Sequence, residues 1–180
     1  MKLFYHNVGQ KGSGDFYKTV TKSWTWDQIE EAIILPDEQK ILLKQKIKSS
    51  LGEHFNAWGV PEKANTWGLL SEGDSYVLLV ETISIHFKGC SIPFGGMIEV
   101  IIPNLQPNLS QLFWQSSHFP RIYLFKTDKL CAEWHDLKDA LGYSDNYRPP
   151  PYLLSVHEDR AGKLAGGSGP CAYIESMKCK

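Results

Sequence analysis

The sequence predicts an α+β domain, a small curved and mostly antiparallel sheet or partly closed barrel flanked by short helices. Two observations lead there. Apolar stretches of strand length recur along the chain, separated by Gly- and Pro-containing turns, and the helical patterns between them are short and peripheral. The chain has 180 residues, 42% apolar and 22% charged, which is enough for one well-buried domain and ordinary for a globular one. Residues 1–165 are expected to form that domain, with 166–180, opening on Gly166-Gly167-Ser168-Gly169-Pro170, as a tail or linker.

Taken in order, Leu3 to Val8 reads as a first strand, followed by a glycine-rich loop from Gly9 to Asp15. That loop is not a Walker motif, since no Gly-Lys-Ser/Thr opens a helix after it. Thr25 and Gln28 form a capping box at the start of a short helix over 26–33. Pro36-Asp37 opens a second helix, with Ile41, Leu42, Ile47 and Leu51 as its apolar stripe and Gly52 as its stop. Lys40, Lys44, Lys46 and Lys48 give it a basic face, read as solvated surface. The segment from Phe55 through Trp67 reads as irregular and aromatic-rich. Trp58 and Trp67 are each followed by a glycine that lets the backbone bend beside a large ring, and Pro61 opposes helix.

A turn at Ser71 to Asp74 leads to a strand from Tyr76 to Phe87, a turn over 88–96, and a return strand over 97–102. Leu109 to Trp114 forms one or two helical turns, and Arg121 to Phe125 is another strand. Glu133 to Leu141 is a helix closed by Gly142, 152–156 a last strand, and 158–164 a last helix.

The formal net charge of −1 gives no global case for nucleic-acid binding, which must rest on a local basic patch and be salt-sensitive. Cys90, Cys131, Cys171 and Cys179 lack CxxC spacing, and no signal peptide precedes them. They are expected as free thiols in a reducing cytosol. No apolar run reaches the ~20 residues that span a bilayer, so no membrane partner is expected. Catalytic traces are sparse. Cys131 and His135 share a helix face at i and i+4, a geometry for a thiolate pair or two metal ligands, where zinc wants three or four. His118 stands alone, and no HExxH or GxSxG spacing occurs. A small Cys/His-dependent enzyme acting on a nucleotide or amide remains the competing class, with Cys131 or His118 as the working group. Otherwise no catalytic residue, metal or cofactor is expected, and the chain reads as a binder.

Taken singly, each tryptophan reads first as a core plug. Seven segments in order shift that reading: Asn7-Val8-Gly9, Asp15 to Val20, Trp58-Gly59-Val60-Pro61, Asn65-Thr66-Trp67, Gly73-Asp74 before a Val-Leu-Leu strand, Phe119 to Phe125, and Leu141-Gly142-Tyr143. Together they resemble the EVE/YTH-like branch of the PUA superfamily, as in the N-terminal specificity domains of modification-dependent restriction systems of the McrB type. The resemblance implies a pocket for a flipped-out modified base, with Trp58 as one wall of an aromatic cage. Trp114 and Phe113 would supply a second wall, and Trp67 and Asn65 come next. Pro150 to Leu154 stands where the family has a Gly-Phe segment, so the resemblance says nothing of that edge. It also implies a separate or fused motor or nuclease as partner, in antiphage defence.

The physics fits such a role. Flipping a base costs a few kcal/mol, and stacking on aromatic walls returns about 1–3 kcal/mol per base. Asn65 and Ser84 are candidates for hydrogen bonds to the base edge. Lys11, Lys18, Lys22, Lys88 and Arg121 are candidates for phosphate contact. Modified DNA is the favoured partner. RNA read by the same fold is the alternative, since nothing in the sequence distinguishes a 2′-OH from a hydrogen.

Overall fold

A computed structural model of the chain describes residues 1–8, 14–15, 18–60, 69–84, 87–103, 108–115, 119, 121–148 and 153–180, apart from the side chains of 60, 81–84 and 87–90. The expected α+β class is borne out, as two open sheets flanked by short helices. The chain divides into two compact units. One comprises 1–13, 73–97 and 128–180, the other 14–72 and 98–127.

The first unit is built on a five-stranded sheet in the order β7-β4-β3-β1-β8. Its strands are β1 (Leu3–Asn7), β3 (Ser75–Ser84), β4 (Phe87–Met97), β7 (Asp128–Glu133) and β8 (Leu153–Ser155). All pairings are antiparallel except β1 with β3, which run parallel from Leu3↔Ser75 to Asn7↔Leu79. On one face Leu3, Tyr5, Val77, Leu79 and Ile92 pack with Leu130, Trp134, Leu137 and Val156 in a continuous core. Helices α4 (Trp134–Ala140), α5 (Glu158–Ala161) and α6 (Gly169–Ser176) supply the rest of that layer. Alternation along β1 puts Phe4 and His6 on the opposite face, where both are also buried.

The structure departs from the sequence reading at β4. Residues 88–96, expected as a turn, are strand, and β3 and β4 form one long hairpin. Pro93 cannot donate to a ladder, and the register shifts beside it on both sides, between Leu78 and Val80 and between Ile92 and Phe94. One of the glycines that suggested a turn, Gly95, serves packing instead. A Cβ on Gly95 would lie 2.8 Å from Leu130 Cδ1 and 2.9 Å from the Tyr76 carbonyl oxygen. Gly95→Ala is therefore expected to cost about 1–3 kcal/mol by overpacking, read as a lower urea midpoint at unchanged slope.

The segment 166–180, expected as a tail, contains α6 and lays Ile174 and Met177 into the core of this unit. Leu130 and Lys178 form an antiparallel bridge there, with Cys131 N–H donating to Met177 O at 2.9 Å.

The second unit holds a three-stranded antiparallel sheet in the order β2-β6-β5, from β2 (Asn56–Val60), β6 (Arg121–Phe125) and β5 (Val100–Pro103). β2 falls in the segment expected to be irregular. Its pairing with β6 in full register, Trp58 opposite Tyr123, supplies the order that local sequence lacks. The return strand expected over 97–102 appears here as β5, paired with β6 instead of with the preceding hairpin. Helix α1 (Trp26–Ile29) starts as expected, with the Gln28 side chain accepting the Thr25 N–H at 2.9 Å. Helix α2 (Asp37–Leu51) buries Ile47 and Leu51, but Ile41 and Leu42 of the expected stripe are exposed. Lys46 and Lys48 pair with Glu72 and Glu53, as befits a solvated face.

Candidate nucleic-acid interface

The aromatic candidates meet in the second unit. β2 carries Trp58, and the short helix α3 (Asn108–Trp114) carries Phe113 and Trp114 on consecutive positions. Trp58 and Trp114 lie 6.1 Å apart between centroids at 84°, and Phe113 and Trp114 lie 5.2 Å apart at 67°. The cluster continues through Phe119, 4.7 Å from Trp114, and Trp24, 4.8 Å from Phe113, both near perpendicular. Edge-to-face contacts of this kind add about 0.5–1.5 kcal/mol each beyond the buried area. Gly59 allows the close approach: a Cβ there would sit 2.6 Å from the Phe119 ring.

Sandwiching a base needs two parallel rings about 7 Å apart, one van der Waals gap on each side. Crossing angles of 67–84° provide no such slot among these rings. Trp58 is 6% exposed, Phe113 3% and Trp114 2%, so all three are core residues as placed. The other wall candidates, Trp67 and Asn65, lie outside the described residues, and Ser84 ends β3 with its side chain outside the description.

The phosphate candidates are distributed unevenly. Lys18 is exposed and pairs with Asp15 at 3.1 Å. The Lys22 amine stands 5.1 Å over the Trp24 ring, a cation–π contact. Arg121 Nη1 reaches the Leu70 carbonyl oxygen at 3.5 Å. Lys11 lies outside the described residues, as does the Lys88 side chain. Neither unit is basic: the first has ten Lys and Arg against ten Asp and Glu, the second nine against ten.

What sequence reasoning missed is the clamp that holds the arm bearing Lys18 and Lys22. Asn56 Nδ2 donates to the carbonyls of Val20 at 3.0 Å and Lys22 at 3.1 Å, while its Oδ1 accepts the Thr127 N–H at 3.0 Å. Thr127 Oγ1 donates to Val20 O at 2.8 Å, and Trp24 pairs with Phe55 through two backbone bonds. A polar residue heading an apolar strand was the available signal.

The enzymatic alternative loses its main group. Cys131 is disulfide-bonded to Cys179, with Cα atoms 5.1 Å apart, so it forms no thiolate pair with His135. His135, largely exposed, contacts Asp136 at 2.9 Å. The expectation of free thiols is corrected for these two cysteines: 48 positions separate them, and only the strand pairing of 177–179 with β7 brings them together. Cys171 is free and exposed. His118 lies outside the described residues. Among the described residues no group of three or more His, Cys, Asp or Glu is placed to hold a metal, and no helix is long and apolar enough to cross a membrane. A cavity of about 430 Å³ in the first unit is lined by Asp139, Leu141, Gly142, His157, Asp159 and Arg160, none of them a sequence candidate.

No family model and no curated protein matches the sequence. Among solved structures the chain is similar to the N-terminal domain of Thermococcus gammatolerans McrB bound to m5C DNA. The TM-score is 0.67 at 20% identity, over 89% of this chain and 92% of that one. The fold is that of the McrB N-terminal domain. The McrB-type fold accounts for most of the chain, 166–180 being part of the first unit here.

Proposed function

We propose that the chain is a non-catalytic reader of a modified nucleobase in DNA, the specificity module for a separate or fused motor or nuclease. The observation that carries this is the shared fold with a McrB domain solved on m5C DNA. Buried as they are, Trp58, Trp114 and Phe113 serve as packed support behind the base site and not as rings between which a base stacks, and base contact is assigned to the remaining candidates Trp67 and Asn65. Lys18, Lys22 and Arg121 belong to the same unit and serve the phosphates.

Magnitudes set what the site must do. One buried methyl contributes about 0.8 kcal/mol, roughly fourfold in affinity. Larger discrimination needs hydrogen bonds to the base edge that the unmodified base cannot match. The test is fluorescence anisotropy on duplexes identical but for one 5-methylcytosine, one N6-methyladenine or one phosphorothioate. One of the two base-modified duplexes is expected to bind at least tenfold more tightly than the plain one, and selectivity for the phosphorothioate alone would overturn base reading. Equal affinity for every duplex at several salt concentrations would refute the reading.

A further inference from the structure

The Cys131–Cys179 bond ties residues 177–179 covalently to β7. β7 is an edge strand, and its free edge is covered by residues 177–179 through Cys131 N–H to Met177 O at 2.9 Å and Cys179 N–H to Lys129 O at 3.1 Å. Lys178 reaches Asp128 at 3.3 Å and Glu175 at 2.7 Å, both at the surface, where such pairs hold weakly. The preceding helix α6 has eight residues, too few to stand alone, and is held by buried Pro170 and Ile174, by Tyr173 against the core, and by Met177 just past its end. Both bonded cysteines are exposed, so a small thiol can reach the sulfurs.

From this arrangement we infer that the disulfide is a redox-operated latch, whose reduction frees 169–179 from β7 and bares that strand's edge. A dithiol supplies the two electrons. Its thiolate attacks one sulfur of the bond and the other cysteine leaves as thiolate. The second thiol of the reagent then closes on the mixed disulfide, releasing the second protein thiol and a cyclic disulfide, so that both cysteines end reduced. Oxidised glutathione reverses the change, accepting the electrons and yielding two molecules of the reduced tripeptide. The inference does not rest on the reading as a DNA reader.

The experiment compares the chain treated with oxidised glutathione, the same sample after dithiothreitol, and Cys179→Ser. Alkylation and peptide mapping count free thiols, and hydrogen exchange reads the backbone. The oxidised chain is expected to yield a Cys131–Cys179 cross-linked peptide. Reduction, or Cys179→Ser, is expected to speed exchange at least tenfold at Cys131, Met177 and Cys179, leaving β1 and β3 unchanged. Failure of oxidised glutathione to produce the cross-linked peptide overturns the latch. So does equal exchange at those amides in oxidised and reduced chains. Global acceleration that includes β1 and β3 also overturns it, because the bond would then support the whole unit.

Discussion

Trp114→Ala is expected to destabilise the protein by about 3–5 kcal/mol, the range for emptying a buried indole from a packed core. The ring is 2% exposed and contacts Trp58, Phe113 and Phe119 by edge-to-face packing, so its removal leaves three aromatic faces without their partner. Ser110 in the first turn of α3 accepts the Phe119 N–H at 2.9 Å, which fixes the far side of the cluster. Urea unfolding followed by far-ultraviolet circular dichroism measures the loss, and Trp114→Phe should recover part of it. A loss under 1 kcal/mol would mean the ring is not the hub of this cluster. The same result governs any binding assay: a Trp114 variant that fails to bind DNA is uninformative until its fold is verified, and Trp58→Phe is the gentler change in this cluster.

Acid is expected to destabilise the first unit through one side chain. His6 lies on β1, hydrogen-bonded on both sides by β3 and β8, and burial lowers its pKa from 6.5 to about 4. The unfolded chain takes up the proton near pH 6.5, whereas the folded one resists it until about pH 4. Stability contributed by the neutral imidazole is therefore fully present above pH 6.5 and is lost as pH falls to about 4, where the loss levels off. The difference corresponds to a cost on the order of 3 kcal/mol. Urea midpoints at pH 7, 5.5 and 4 for the native chain and for His6→Gln test it. The native chain should weaken more steeply over that range, and parallel curves would exclude His6 as the source.

The elements that the sequence made legible were those encoded locally. The Thr25–Gln28 box marks a helix start within four residues, and the apolar runs of β1 and β6 read as strands wherever they pair. What was hidden depended on contacts between distant segments. Gly95, Gly96 and Pro93 look like a turn until Leu130 and the shifted register around Pro93 are placed beside them. Ile41 and Leu42 fit a helical stripe by spacing, yet α2 buries only its end, at Ile47 and Leu51. The disulfide could not be read from spacing, because α6 returns Cys179 to β7 only after 48 positions. At the candidate interface, Trp58, Phe113 and Trp114, named from the family resemblance as walls of a cage, lie in contact with one another. Nothing in the sequence set the angle between their rings, and the angle decides whether a base fits between them.

Asn56 has a role that goes beyond holding a strand end. By joining Val20, Lys22 and Thr127 through one amide, it roots the Lys18–Trp24 arm at its base. An ammonium group carried on a fastened root has less freedom to surrender when an anion arrives, so less of the attraction is spent on ordering. If the chain reads DNA as proposed, cutting that root, as in Asn56→Ala, leaves every positive charge in place and still weakens the grip on the phosphates.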